Sequence, residues 1–152
     1  MNESPELEQS LQDFVTQMVS HLQWSLSVQV SAPDSDTLVV DLAGEDRDLL
    51  LVDRAEILEV FQYLLNRIFG READERRIVV DCDGYRARKE KELVEIAQRV
   101  SERVRRTGNA EELGLMNPYE RRIVHLAVAE TEGVTTESEG EGVMKRVVIF
   151  PS

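Results

Sequence analysis

The chain has 152 residues, of which 41% are apolar and 32% charged, a balance that suits soluble packed domains and excludes wholesale disorder. No apolar run approaches the roughly 18 residues a membrane-spanning helix requires, and a lone cysteine, Cys82, excludes an internal disulfide framework. The formal net charge of −12 opposes binding of a phosphate polyanion by the chain as a whole, but the excess is confined: residues 1–83 carry 6 basic and 18 acidic side chains, and residues 84–152 carry 12 of each.

The N-terminus, Met1-Asn2-Glu3-Ser4-Pro5-Glu6, is acidic and lacks the basic-then-apolar pattern of a secretory signal, so the expected location is cytoplasmic, with no membrane anchor. Leu7, Leu11, Phe14, Val15, Met18 and Leu22 recur at helical spacing and predict a first helix from Pro5 to Leu22. His21 near its end suits the negative pole of that helix, and Trp24 reads as cover for the core. Leu26, Val28 and Val30 alternate with polar residues as in a half-buried strand, and a turn at Ala32 to Asp36 leads to a second strand, Thr37 to Leu42. After a short apolar patch, Leu49 to Val52, a helical stripe runs through Ile57, Leu58, Phe61, Leu64, Leu65 and Ile68, with Gly70 placed as a C-terminal glycine. Arg76 to Asp83 forms a third strand in which Cys82 reads as a small buried residue.

Asp83-Gly84 is a turn and the expected domain boundary, giving domains 1–83 and 84–152. A long helix, Lys89 to Thr107, shows Leu93, Ile96, Ala97, Val100 and Val104 on one side and stops at Gly108. The stretch Arg86 to Arg106 holds 8 basic and 4 acidic residues, either a salt-sensitive attraction for phosphate or a solvated face with pairs such as Glu95–Arg99 and Glu102–Arg106. Asn117-Pro118-Tyr119-Glu120 reads as an N-cap, a first-turn proline and the acid of a capping box, opening a helix to about Glu130. Two strands, Thr131 to Glu137 and Lys145 to Phe150, close the chain around the loop Ser138 to Val143. Glu137, Glu139 and Glu141 match no metal-binding loop and read as a solvated hairpin tip.

Several runs in the second part carry a resemblance. They are Asp83-Gly84-Tyr85-Arg86, then Met116 to His125, Gly133-Val134-Thr135-Thr136-Glu137-Ser138-Glu139-Gly140-Glu141, and Arg146 to Ile149. This part resembles the R-x-x-x-H (R-3-H) domain as found in the bacterial Jag family, also called SpoIIIJ-associated protein or KhpB. The arginine and histidine of that name fall here on Arg121 and His125. The first part looks like the KH domain that precedes it in that family, with matching element order and with Leu50 to Leu65 aligned to the KH core. The resemblance implies an α+β chain: a KH-like domain of type II order followed by a small R-3-H α/β domain.

It also implies binding of single-stranded RNA or DNA. A KH domain grips a nucleic-acid backbone with a Gly-x-x-Gly loop, but the aligned positions are Val52, Asp53, Arg54 and Ala55. Without glycine the close approach of phosphate and the positive-φ option are both expected to be lost, and Asp53 adds a repelling charge. Arg121 and His125, one helical turn apart, are the expected anion contact, with Arg122, Arg86 and Arg146 assisting. Lys145 could complete the basic surface, Tyr119 could stack on a base or cover the core, and Thr136 and Ser138 could bond phosphate. No catalytic constellation, metal site or cofactor motif is present in the sequence, so a binding protein is expected, not an enzyme. The alternative is a protein-interaction adaptor that has lost nucleic-acid binding, with a KH-domain protein or a second copy of the chain as partner.

Overall fold

The computed structural model describes residues 4–152, so Met1 to Glu3 of the acidic N-terminus lie outside the described residues. The chain is α+β and divides into two compact units, Met1–Tyr85 and Arg86–Ser152. None of its helices is long and apolar enough to cross a membrane, among the described residues.

The first unit contains α1 (Ser4–His21), β1 (Ser27–Ser31), β2 (Thr37–Ala43), α2 (Arg47–Phe69) and β3 (Arg77–Cys82). Its sheet has the order β1-β2-β3, with β1 antiparallel and β2 parallel to β3. The parallel register sets Leu38, Val40 and Leu42 beside Ile78, Val80 and Cys82, and all six are fully buried. Leu7, Leu11, Val15 and Val19, four residues apart, close the core from α1, while Leu22 lies outside it. Trp24 packs against this core and stacks on Phe61 with ring centroids 6.2 Å apart. Burial, followed by the Asp83, Asp41 and Asp81 carboxylates, pushes the Cys82 thiol up to about 11, so it stays protonated and inert at neutral pH.

β3 is an edge strand, and an unpaired edge invites association with other chains. Here α2 covers it. Asn66 Nδ2 donates to the Ile78 carbonyl at 2.7 Å and Asn66 Oδ1 accepts from the Ile78 amide at 3.1 Å, as a neighbouring strand would; Gln62 Oε1 accepts from the Val80 amide at 3.1 Å. The expected stripe on α2 is rotated in part. Ala55, Leu58, Phe61, Leu65 and Phe69 are buried, whereas Leu64 and Ile68 face outward with Val60 and Tyr63. Gly70 is right-handed (φ −57°), contrary to the expected C-terminal glycine turn; a β-carbon there would collide with the Asn66 carbonyl, and the chain reverses at Asp74 and Glu75 instead.

Inside α2 the helix is interrupted at the four aligned loop positions. Val52 is extended (φ −65°, ψ 157°), and Asp53, Arg54 and Ala55 are left-handed at φ 50°, 62° and 59°. The expectation that positive φ would vanish with the glycines is therefore corrected. Each left-handed residue other than glycine costs roughly 1–2 kcal/mol. The core holds the turn despite this cost, because Ala55 is buried within it and Leu50 and Leu58 are buried on either side.

The second unit contains α3 (Tyr85–Thr107) from its second residue onward, β4 (Glu111–Met116), α4 (Pro118–Ala129), β5 (Val134–Glu139) and β6 (Lys145–Pro151). Gly108 stops α3 at φ 73°, its amide bonding the Val104 carbonyl at 2.8 Å. β4 was not foreseen; it makes a three-stranded antiparallel sheet of order β4-β6-β5. Leu93, Ala97, Val100 and Val104 of α3 share one core with Ile123, Val124, Ala127 and Val128 of α4 and with Val147 and Ile149 of β6.

Two substitutions test the first unit, with Trp24 fluorescence during urea unfolding as the reporter. Asn66→Ala leaves the Ile78 backbone groups without their partner and is expected to lower stability by about 1–3 kcal/mol. Arg54→Gly, at an exposed left-handed position, is expected to raise it by about 1 kcal/mol.

Candidate nucleic-acid interface

α4 starts where its sequence says it should. Asn117 accepts from the Glu120 amide at 2.8 Å, and the Glu120 carboxylate accepts from the Asn117 amide at 3.0 Å, closing the capping box behind Pro118. This fixes the helix phase and sets Arg121 and His125 on a common side, both half-buried.

Each is tied to the rest of its unit. Arg121 Nη1 donates to the Val143 carbonyl at 2.8 Å and to the Met116 carbonyl at 3.3 Å, pinning the β5–β6 loop and the end of β4 to the helix start. The N–H groups on Nε and Nη2 have no partner among the described residues. His125 bridges α4 to β5: Nδ1 lies 2.5 Å from Thr136 Oγ1 and Nε2 lies 2.9 Å from Ser138 Oγ. Burial, and then the Arg121 guanidinium, lower the His125 pKa below its ordinary 6.5. At neutral pH the ring is therefore uncharged, with one nitrogen donating and the other accepting. His125 contributes position, not charge. The positive charge of the cluster comes from Arg121, and Thr136 and Ser138 join the cluster by contact.

The other expected residues divide. Arg122 is exposed on the adjoining face of α4, in line with Tyr119 and with Leu126, which is 61% exposed. Tyr119 is itself 38% exposed, so it does not belong to the core. Arg146 is not part of the cluster. Val147 and Ile149 point into the core, and strand alternation sends Arg146 to the opposite face of the sheet, where its Nε lies 3.4 Å from Glu112. The same alternation turns Lys145, cross-strand from buried Met116, toward the α4 side. Pairing parity along β6 could have separated these two from sequence alone. Arg86 lies in the first turn of α3, half-buried and engaged in an interaction of its own. Val52, Asp53, Arg54 and Ala55 belong to the first unit, with Asp53 and Arg54 exposed and Ala55 buried.

The lowered pKa has a measurable consequence. Between pH 6.5 and the lower folded value the unfolded chain binds a proton that the folded chain does not, so stability from His125 is complete above pH 6.5 and falls as the pH drops below it. A histidine-ring NMR titration is expected to place His125 below 6.5, and Arg121→Gln should move its midpoint upward. His125→Gln should flatten the acid-side decline of the second unit followed by far-UV circular dichroism.

Comparison with known proteins covers both parts of the chain. The R-3-H domain model matches residues 91–151. The chain is 30% identical over 148 residues to the RNA-binding protein KhpB of Clostridium symbiosum, spanning 93% of this chain and 67% of that protein. It is 29% identical over 119 residues to the RNA-binding protein KhpB of Bacillus subtilis, spanning 74% of this chain and 56% of that protein. A match to the protein of the same name from Lactiplantibacillus plantarum is 35% identical over 72 residues, 47% of this chain and 22% of that protein. With an R-3-H domain at its C-terminal end and this likeness over nearly its whole length, the chain belongs to the KhpB family.

Proposed function

We propose that the chain is a regulator that binds single-stranded RNA through α4 and β5 of its second unit, and that its first unit is a KH-like domain whose phosphate loop has been given up. The relatives are named as RNA-binding proteins, and the R-3-H match falls on the half whose charge is balanced. The observation that carries the reading is the joined set Arg121, His125, Thr136 and Ser138. Arg121 offers fixed N–H donors to a phosphate oxygen. The neutral imidazole holds two hydroxyls at a fixed spacing, and Tyr119, Arg122 and Leu126 supply a stacking plate, a cation and an apolar surface alongside. This is a binding surface, with no nucleophile or acid–base pair assigned to it.

One observation favours a second role for the first unit. Val60, Tyr63, Leu64 and Ile68 face outward along α2 of an acidic domain, which suits contact with a KH-domain protein or a second copy of the chain better than contact with RNA. Association that survives nuclease treatment would mark that role.

Fluorescence anisotropy with a labelled single-stranded RNA tests the main reading. Binding in the micromolar range is expected, weakening with salt. Arg122→Gln removes one exposed charge and should reduce the slope of log affinity against log salt by about 0.7. Arg121→Ala should weaken binding about tenfold, and Arg121→Lys should recover only part of it, because an ammonium lacks the planar fork. Curves identical for wild type and both Arg121 variants overturn the reading.

A further inference from the structure

A second concentration of guanidinium groups lies at the far end of α3. Arg99, Arg103, Arg105 and Arg106, with Glu102, line an open cavity of about 600 Å³. Arg99, Arg103 and Arg106 stand at i, i+4 and i+7, on one side of the helix, and a rise of 1.5 Å per residue spreads them over about 10 Å.

Their pairing is uneven. Arg103 is held in a two-point contact by Glu111, with Nε and Nη2 each 2.5 Å from a carboxylate oxygen, and Arg105 bonds Glu102 at 2.7 Å. The pairs expected for a plain solvated face, Glu95–Arg99 and Glu102–Arg106, do not form. Glu102 turns to Arg105 instead, and among the described residues neither Arg99 nor Arg106 has a carboxylate partner. The Arg103–Glu111 contact thus fixes one wall of the cavity while two exposed guanidinium groups remain available within it.

The cavity sits at the opposite end of the unit from Arg121. Glu111 begins β4 opposite Ile149, and Arg105 packs beside Gly133, just ahead of β5, whose first residue pairs with Pro151. Arg121 instead bonds Met116 and Val143, at the end of the sheet where β6 begins. Strands of this length put roughly 20 Å between the two ends. The last carbonyls of α3 and the Glu102 carboxylate weaken any single anion contact there, so a ligand that meets both Arg99 and Arg106 is favoured over one that meets either alone. Donors spread along the helix suit a chain of phosphates.

We propose that this cavity is a second phosphate-binding site, taking backbone phosphates of the same strand through Arg99 and Arg106. The inference rests on the reading that the second unit binds a single strand, and it lengthens the footprint from one spot on α4 to both ends of the sheet.

The test is an NMR titration of the ¹⁵N-labelled full chain with a single-stranded RNA of about 12 nucleotides, within the range one small module covers. Amide shifts are expected both at Arg99 to Gly108 with Glu111, and at Arg121, His125 and Thr136. Shifts at α4 and β5 alone overturn the second site and leave the proposed function standing. Shifts at the end of α3 alone support the second site and overturn binding through Arg121, and no shift at either place overturns both. Tripolyphosphate alone, at matched phosphate concentration, separates a free anion from a strand: α3 shifts as large as those with RNA overturn the strand as the ligand. In parallel, Arg99→Gln with Arg106→Gln should reduce the salt slope of RNA binding by about 1.4, the share of two single-strand phosphate contacts. An unchanged slope in the folded double variant overturns the site.

Discussion

Both nitrogens of one imidazole are committed to a strand, and the surface of the second unit depends on that commitment. His125 reaches Thr136 and Ser138, alternate residues on the same side of β5, so the helix is held at a fixed height and rotation over the sheet. A neutral ring has one proton to give. One hydroxyl therefore receives that proton, and the other gives its own to the ring. The hydroxyl that receives keeps its own proton, so one of the two retains a donor while both oxygens retain a lone pair, beside the Arg121 guanidinium. A charged ring would attract an anion more strongly, but it would be half-buried next to a permanent cation, and both features hold its pKa down. The arrangement trades charge for geometry.

How far this site could be read from sequence depends on the reach of each signal. The capping box is local, a matter of four consecutive residues, and Asn117 and Glu120 announce it without any knowledge of the fold. Arg121 and His125 follow from it, because helix phase is fixed once the cap is fixed. The placement of Arg146 apart from that cluster has the opposite character. Its side depends on which neighbouring residues of β6 enter the core, Val147 and Ile149, and that parity is set by the pairing of the strand. β4 was missed because Glu111-Glu112-Leu113-Gly114-Leu115-Met116 has a glycine and a bulge within six residues, and its outer leucine, Leu115, is exposed. Such a strand draws its existence from pairing with β6 and carries little periodicity of its own. On α2 the apolar residues span a wider arc than the core covers: Leu58, Phe61, Leu65 and Phe69 fill it, and Leu64 and Ile68 on the flank are left outside.

Charge gives a coarser message than position. The acidic excess of the first 83 residues discourages phosphate there, yet even the balanced half divides its charges unevenly over its surface. Arg146 is set against Glu112 on the outer face of the sheet, Arg103 is locked by Glu111, and Arg105 by Glu102. The guanidinium groups that these carboxylates do not hold include Arg121 and Arg122 on α4 and Arg99 and Arg106 on α3. Exposed ion pairs of this kind add little stability. Their larger effect here is on which guanidinium groups remain open.

The interruption in α2 separates two properties of glycine that a sequence motif bundles together. Glycine permits positive φ, and it also keeps the backbone bare so that a bulky anion can lie against it. At Asp53, Arg54 and Ala55 the first property survives without glycine: the backbone still makes a left-handed turn, held by the buried Ala55 methyl and by the leucines on either side. The second property is absent, since every position bears a β-carbon and Asp53 adds a carboxylate. The segment thus combines a left-handed path with a side chain at every position, and the core beneath it accounts for the path. In that case the turn persists because the packing of Leu50, Ala55 and Leu58 requires a connection of that shape, whether or not anything binds above it.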